Sequence, residues 1–408
     1  EFTIKNLEIF NPISSNIKQA TLISIIDLTC TSGGSRLLKQ WLREPLISKK
    51  LINQRQQCVK ELVNSEVLLS DIRNNLKEVS DCNRILSKIS LNKVNPRDLL
   101  SLSKSLTAIQ TIKQLIKNEK FKTLNFFGKK IKNSKKIENL ILKTIKEDPN
   151  VNISKGGFIK DGYSSKLDEL RSISHNANNW LIKYQEELRS TLDISSLKIS
   201  YNKIFGYYIE ITKVHMNKIP EFFIRKQTLV NSERFYTQEL KEFEINILNA
   251  QDKIIELENQ YFENLNQQIL NQINIINSNV LIASRIDIFA CFAKKAIDNN
   301  YTCPIMNGNS EINLIDSRHP VIEALLPAGS NFITNDIKIN KDNYQIAIIT
   351  GPNMAGKSTF LRQVGLIVLL SQIANKILLF EIKVSLKNFF ASISEIGLAK
   401  SGVCGPTT

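Results

Sequence analysis

Eight consecutive residues, GPNMAGKS at 351–358, have the types and spacing needed to hold a polyphosphate. Gly351 and Gly356 bracket Pro352, Asn353, Met354 and Ala355, which lets successive backbone N–H groups curl around a phosphate. Lys357 then reaches the β and γ oxygens, and Ser358 offers a hydroxyl to Mg²⁺. A chain with this loop handles a nucleoside triphosphate. Its flanks agree: residues 345–350 form a short β-branched apolar run, expected as a buried parallel strand. Residues 358–374 contain no Pro and one internal Gly, which predicts a helix whose N-terminal dipole points at the anion.

The elements that must position this loop change character along the chain. Between 17 and 145, apolar residues recur at spacings of three and four, punctuated by Pro45 and Pro96. Pro45 closes a helix that holds Leu37, Leu38, Trp41 and Leu42. The stretch DPNVNISKGG at 148–157 breaks the pattern, and 163–191 resumes it as one long helix. The period then shifts toward two at 197–201 and 207–212, with Gly206 allowing a bend between them. From Thr237 the helix returns, with Leu240, Ile247, Ile254 and Tyr261 on one heptad position and Phe243, Ala250 and Leu257 on the other. Such a seam wants a partner, and the helix at 163–191 supplies it, making an antiparallel arm with a β tip. The pattern is neutral between an arm that transmits motion and a structural stalk. After residue 300, short strand candidates at 311–315, 321–325, 332–339 and 345–350 lead into the loop as an α/β nucleotide domain.

The loop and its sequel, GPNMAGKSTFLRQVG, resemble the ATPase loop of the MutS family of DNA mismatch-repair proteins. The segments SGGSRLLKQWLREPL at 32–46 and INQRQQ at 52–57 resemble the opening of that family's core domain. LKISYNKIFGYYIEITK at 197–213 and RKQTLVNSER at 225–234 are similar to its DNA clamp, and DSRHPVIE at 316–323 with NFITN at 331–335 to the opening of its ATPase domain. The segments stand in family order across 32–365.

The resemblance implies a mainly α fold with an α/β P-loop NTPase domain: a helical core and lever, an antiparallel helical arm with a small β clamp at its tip, and the start of an ABC-type ATPase domain. The boundaries expected are a helical core over 1–157, an ascending helix over 158–193, a clamp over 194–235, a descending helix over 236–300 and an incomplete ATPase domain over 301–408. It implies ATP and Mg²⁺ as cofactors, mismatched double-stranded DNA as ligand, a homodimer or family heterodimer, and a downstream repair ATPase of the MutL type. In the full protein, DNA-dependent ATP hydrolysis would open and close the clamp. The alternatives are a recombination-linked paralogue without mismatch probing, and a non-catalytic structural remnant.

By resemblance, Phe332 and Ile333 sandwich the adenine, although alone they would be ordinary strand core. Asn353 matches a residue close to the γ-phosphate, Thr359 lies near the α-phosphate and Ser358 is the metal contact. His319, before Pro320, is read as orienting a strand end rather than catalysing. The clamp offers Lys198, Lys203, Lys213, His215, Lys218, Arg225 and Lys226 among Tyr201, Tyr207 and Tyr208. Point-charge lysines suit contact with the duplex backbone rather than base reading.

Composition limits the alternatives. Six cysteines without a C-x-x-C pair, and only His175, His215 and His319 as imidazoles, indicate neither a zinc site nor a disulfide framework, but reduced thiols in a cytosolic-type compartment. The apolar stretch at 364–374 is too short to cross a bilayer, so no membrane anchor is expected. Localisation is read as bacterial-type cytoplasmic and nucleoid-associated, with organelle and nucleus left open. A net charge of +15 implies an acidic partner, nucleic acid by default. Twelve lysines against four acids fall between 104 and 148, however, and such a run is ordinarily a solvated face.

Several features depart from the family. Glu1 without a leader reads as an internal segment of a longer protein, lacking the mismatch-probing domain. No strand ending in Asp-Glu follows the loop, no catalytic residue is assigned, and weak binding with poor hydrolysis is expected. SEIG at 394–397 is a false echo of the family's metal site, and KILLF at 376–380 replaces its aromatic-Val-Pro-Ala turn.

Overall fold

Each change of apolar period along the chain marks a change of element. The computed structural model describes residues 2–12, 21–202, 206–307, 311–327, 329–352, 355–373 and 381–385; residues 381–385, with 174, 175, 177 and 178, are described by backbone alone. The first helices are α1 (Phe2–Asn6), α2 (Leu22–Ile26), α3 (Ser32–Arg43), α4 (Lys49–Val63), α5 (Glu66–Lys77), α6 (Cys82–Ser90), α7 (Pro96–Leu115), α8 (Lys122–Gly128) and α9 (Lys135–Thr144). There follow α10 (Ser165–Leu192), α11 (Gln238–Leu270), α12 (Ile273–Asp298), α13 (Pro320–Leu325) and α14 (Lys357–Gln372). The strands are β1 (Lys198–Asn202), β2 (Gly206–Thr212), β3 (Ile224–Thr228), β4 (Ser232–Tyr236), β5 (Ile305–Asn307), β6 (Glu311–Ser317), β7 (Asn335–Asn340) and β8 (Glu381–Ser385). Among the described residues the fold is mainly α, with two small sheets ordered β1-β2-β4-β3 and β5-β8-β6-β7, of whose strand pairs β5–β8 alone is parallel. Two compact units result, Glu1–Ser87 with Ser101–Lys135 and Ile273–Thr408, and Lys88–Leu100 with Lys136–Gln272.

In the first unit α12 is the axis, packed by α3, α4, α5 and α8. By length and composition α12 could cross a membrane, but 72% of its most apolar window is buried inside the protein. Phe289 takes Trp41 at 6.0 Å and Phe127 at 5.4 Å between ring centroids. Close approach of α3 requires Gly34, where an added Cβ would lie 2.3 Å from Asp287 Oδ2. That carboxylate accepts N–H bonds from Cys30 (2.9 Å) and Thr31 (2.8 Å) and the Thr31 hydroxyl (2.7 Å). Thr31 in turn caps α3 by accepting the Gly34 N–H at 2.9 Å.

In the second unit α10 and α11 run antiparallel. Tyr184 meets Thr237 (2.7 Å), Trp180 stacks on Phe243 (3.8 Å between centroids), and Ser164 meets Tyr261 (2.8 Å) at the far end. The sheet closes over a core of Leu188, Leu197, Ile209, Ile211, Phe235 and Leu240 among others. Of the heptad positions, Leu240, Ile247 and Ala250 are buried and Leu257 is half-buried, while its neighbour Glu258, outside the heptad pattern, has a wholly buried side chain. The charge is tolerated because Glu258 accepts Arg171 Nη2 at 2.6 Å and the amides of Gly157 (2.7 Å) and Phe158 (3.2 Å). Apolar period alone gives no sign of a buried ion pair.

Three strand expectations near the loop need correction. Residues 321–325 are the helix α13, because Pro320 stands at its first position and His319 Nδ1 accepts the N–H groups of Val321 and Ile322, both at 3.3 Å. The strand expected at 332–339 starts only at Asn335. Residues 345–350 form no strand, with Ile346 84% and Ile348 85% exposed, because no strand among the described residues lies alongside to bury them. The segments 376–380 and 394–397 fall outside the described residues.

Replacing Glu258 by Ala leaves the amides of Gly157 and Phe158 without their acceptor, while Arg171 keeps Asp161 and the Ile159 carbonyl. The expected loss is about 2–4 kcal/mol, the usual consequence of leaving two backbone donors without an acceptor. Denaturant unfolding measures it, and a loss below about 1 kcal/mol would show that the anchor is dispensable.

Candidate nucleotide site and basic sheet

The loop helix α14 starts at Gly356, whose φ of 84° is left-handed and open to glycine at no steric cost. Its first helical bond runs from Phe360 N–H to Gly356 O at 2.9 Å, so the amides of 357–359 have no partner within the helix. Lys357 folds back, its Nζ donating to Gly351 O. The rest of α14 is held in place by buried polar contacts. Gln363 Nε2, fully buried, donates to Ser317 O (2.8 Å) and Ser317 Oγ (2.6 Å), and Arg362 pairs with Glu8 at 2.8 Å.

A cavity of about 560 Å³ opens at this helix start. Ala355, Gly356, Lys357, Thr359 and Phe360 line one side, and Phe332, Ile333, Asn335 and Asp336 another. Phe332 is half-buried and Ile333 86% exposed, so neither is a core residue. Ser358 is exposed at the start of α14 and is not among the lining residues, as is true of Gly351 and Pro352. Asn353 and Met354 lie outside the described residues. Sequence reasoning did not single out Gln363, Asp336 or Phe360. Gln363 was legible only as a polar residue interrupting the apolar face of a helix.

His319 is 5% exposed, and burial, with Arg362 nearby, pushes its pKa down to about 4. The neutral ring is required, since Nδ1 must stay an acceptor for the α13 amides.

On the sheet of the second unit, Lys198 is exposed in β1 opposite Glu210, and Lys213 is exposed just after β2. Lys218 pairs with Asp193 at 2.7 Å and Arg225 with Glu233 at 2.7 Å, while Lys226 lies 5.3 Å from the Tyr236 ring centre. Among the seven basic residues singled out there, Lys198 and Lys213 carry no ion pair within the described residues; Lys203 lies outside them.

The family model of MutS domain III matches residues 2–293, and that of MutS domain V matches 347–395. The chain belongs to the MutS family. The DNA mismatch repair protein MutS of Clostridium novyi is 42% identical over 91% of this chain and 41% of its own length. Those of Bacteroides fragilis (42% identical) and Flavobacterium johnsoniae (41% identical) each match 92% of this chain and 43% of their own. The chain thus spans about two fifths of the length of these MutS relatives.

A histidine held neutral in the fold and free to protonate when unfolded stabilises the native state fully above its unfolded pKa, and that contribution is lost as pH falls from about 6.5 to about 4. The difference in unfolding free energy between wild type and His319→Asn should therefore shrink by on the order of 3 kcal/mol between about pH 7 and about pH 4. A difference independent of pH would mean that His319 is not held neutral.

Proposed function

We propose that this chain binds ATP with the loop at 351–359 and duplex DNA with the sheet at 194–235, as the core, clamp and nucleotide-binding part of a mismatch-recognition ATPase. The observation that carries the nucleotide half is the convergence of Lys357 and Thr359 with Phe332 and Ile333 on one cavity at a helix start. Such a site offers a cation and unpaired amides to the phosphates, and an aromatic face to the base. The donor set fits a nucleoside triphosphate: Lys357 Nζ, resting on Gly351 O, is free to exchange that carbonyl for phosphate oxygens. Ser358 would be the protein's ligand to Mg²⁺, which when bound neutralises charge on the bridging phosphates. The P-loop strand of an ABC-type domain is the expected role of 345–350 once a neighbouring strand covers Ile346 and Ile348.

For DNA, Lys198 and Lys213 are the charges this reading relies on, because Lys218 and Arg225 already have carboxylate partners. Unpaired lysines on a small sheet suit backbone contact without base reading. The same reading takes the full protein as a homodimer or family heterodimer of the bacterial cytoplasm, hands the lesion to a MutL-type ATPase, and couples ATP binding and hydrolysis to clamp closure and opening.

Titration with a fluorescent ATP analogue tests the nucleotide half. Lys357→Ala should weaken binding about ten- to a hundredfold while leaving the thermal unfolding midpoint unchanged. An unaltered affinity would sink the assignment. For the DNA half, replacing Lys198 and Lys213 together by Gln should lower the slope of log affinity against log salt by about two without altering sequence preference. A changed preference would point to base contacts instead.

A further inference from the structure

Nine lysines stand between 113 and 136, with Glu119 the single carboxylate among them and no arginine from 98 to 170. Eight of the nine are exposed, and none of the nine has an ion pair among the described residues. A lysine run of this kind is ordinarily a loose solvated face, in which like charges move apart.

Here the backbone beneath the charges is fixed by polar side chains from three helices, two of them, Glu61 and Asn279, buried and the third, Gln110, half-buried. Glu61 of α4 accepts the amides of Thr123 (3.0 Å) and Leu124 (2.9 Å), closing the start of α8 with a carboxylate. Asn279 of α12, fully buried, accepts the Lys132 N–H at 2.8 Å and donates to the Lys132 carbonyl at 2.9 Å. Gln110 of α7 donates to that carbonyl (2.7 Å) and to Ser134 Oγ (3.0 Å). The half-buried Lys113 ties its own ammonium to Ile131 O at 2.6 Å. Phe126, 47% exposed, lies under the Lys130 ammonium at 4.3 Å from its ring centre. Like charges are thus held together by the fold, and the repulsion between them falls when an extended polyanion lies across them.

We propose that Lys117, Lys120, Lys122, Lys129, Lys130 and Lys132 form a second phosphodiester-contact surface, on the first unit, that takes the backbone of double-stranded DNA in addition to the lysines of the β1-β2-β4-β3 sheet. The inference rests on the reading of the chain as a duplex-binding protein. Ammonium groups without the arginine fork give contact that is indifferent to base sequence and to a mismatch.

The test uses the 408-residue chain and two duplexes of equal length, one fully paired and one with a single mismatch, titrated at several salt concentrations. The triple variant Lys122→Gln, Lys129→Gln, Lys130→Gln should lower the salt slope by about one for each lysine removed and weaken both duplexes equally, by about tenfold or more near 50 mM salt. The corresponding three-arginine variant should bind as wild type does, and the thermal midpoint of both should be unchanged. If the glutamine variant keeps the wild-type affinity and slope while Lys198→Gln with Lys213→Gln weakens binding, the surface is solvated or serves an acidic protein, and the proposal is overturned. If the wild-type chain binds neither duplex at any salt, the duplex-binding reading itself fails.

Discussion

The carboxylate of Asp287, buried in the middle of α12, is the constraint on which the first unit is built. Burial raises its pKa, and the amides of Cys30 and Thr31 and the Thr31 hydroxyl oppose that rise. An unsatisfied carboxylate at that position would cost more than the unit could bear, so the turn before α3 must sit where its donors face α12. The capping of α3 by Thr31 and the need for glycine at 34 both follow. Glu258 imposes the same requirement on the second unit, where the loop at 156–158 and Arg171 are drawn to it.

The same logic of buried polar satisfaction runs to the candidate nucleotide site. The end of β6 is fixed to α14 by Ser317 and Gln363, and α13 leaves that strand end under the cap of His319. The helix that presents Lys357 is therefore tied to the end of β6 through Gln363, which itself lines the cavity.

Charge is distributed unevenly for a physical reason. Lys218 and Arg225 meet carboxylates on neighbouring segments, which lowers the local potential, whereas Lys198, Lys213 and the lysines around α8 are left open to solvent. A net charge of +15 describes neither situation by itself.

The sequence by itself determined what depends on nearest neighbours along the chain. The phosphate loop is legible from two glycines, a lysine and a serine at fixed spacing, the α10–α11 pair from its heptads, and the strands β1 and β2 from their period of two. The family was legible from segments in order, and the matches to MutS domains III and V agree. What only the tertiary structure decided is what depends on partners far away in sequence. Glu258 is buried because Arg171 and the Gly157 amide stand opposite; Gln363 is buried because Ser317 stands opposite. Residues 321–325 turn helical because a histidine side chain caps them. Residues 345–350 have the composition of a buried strand but no neighbour among the described residues, since a strand needs a ladder and a helix satisfies its own hydrogen bonds.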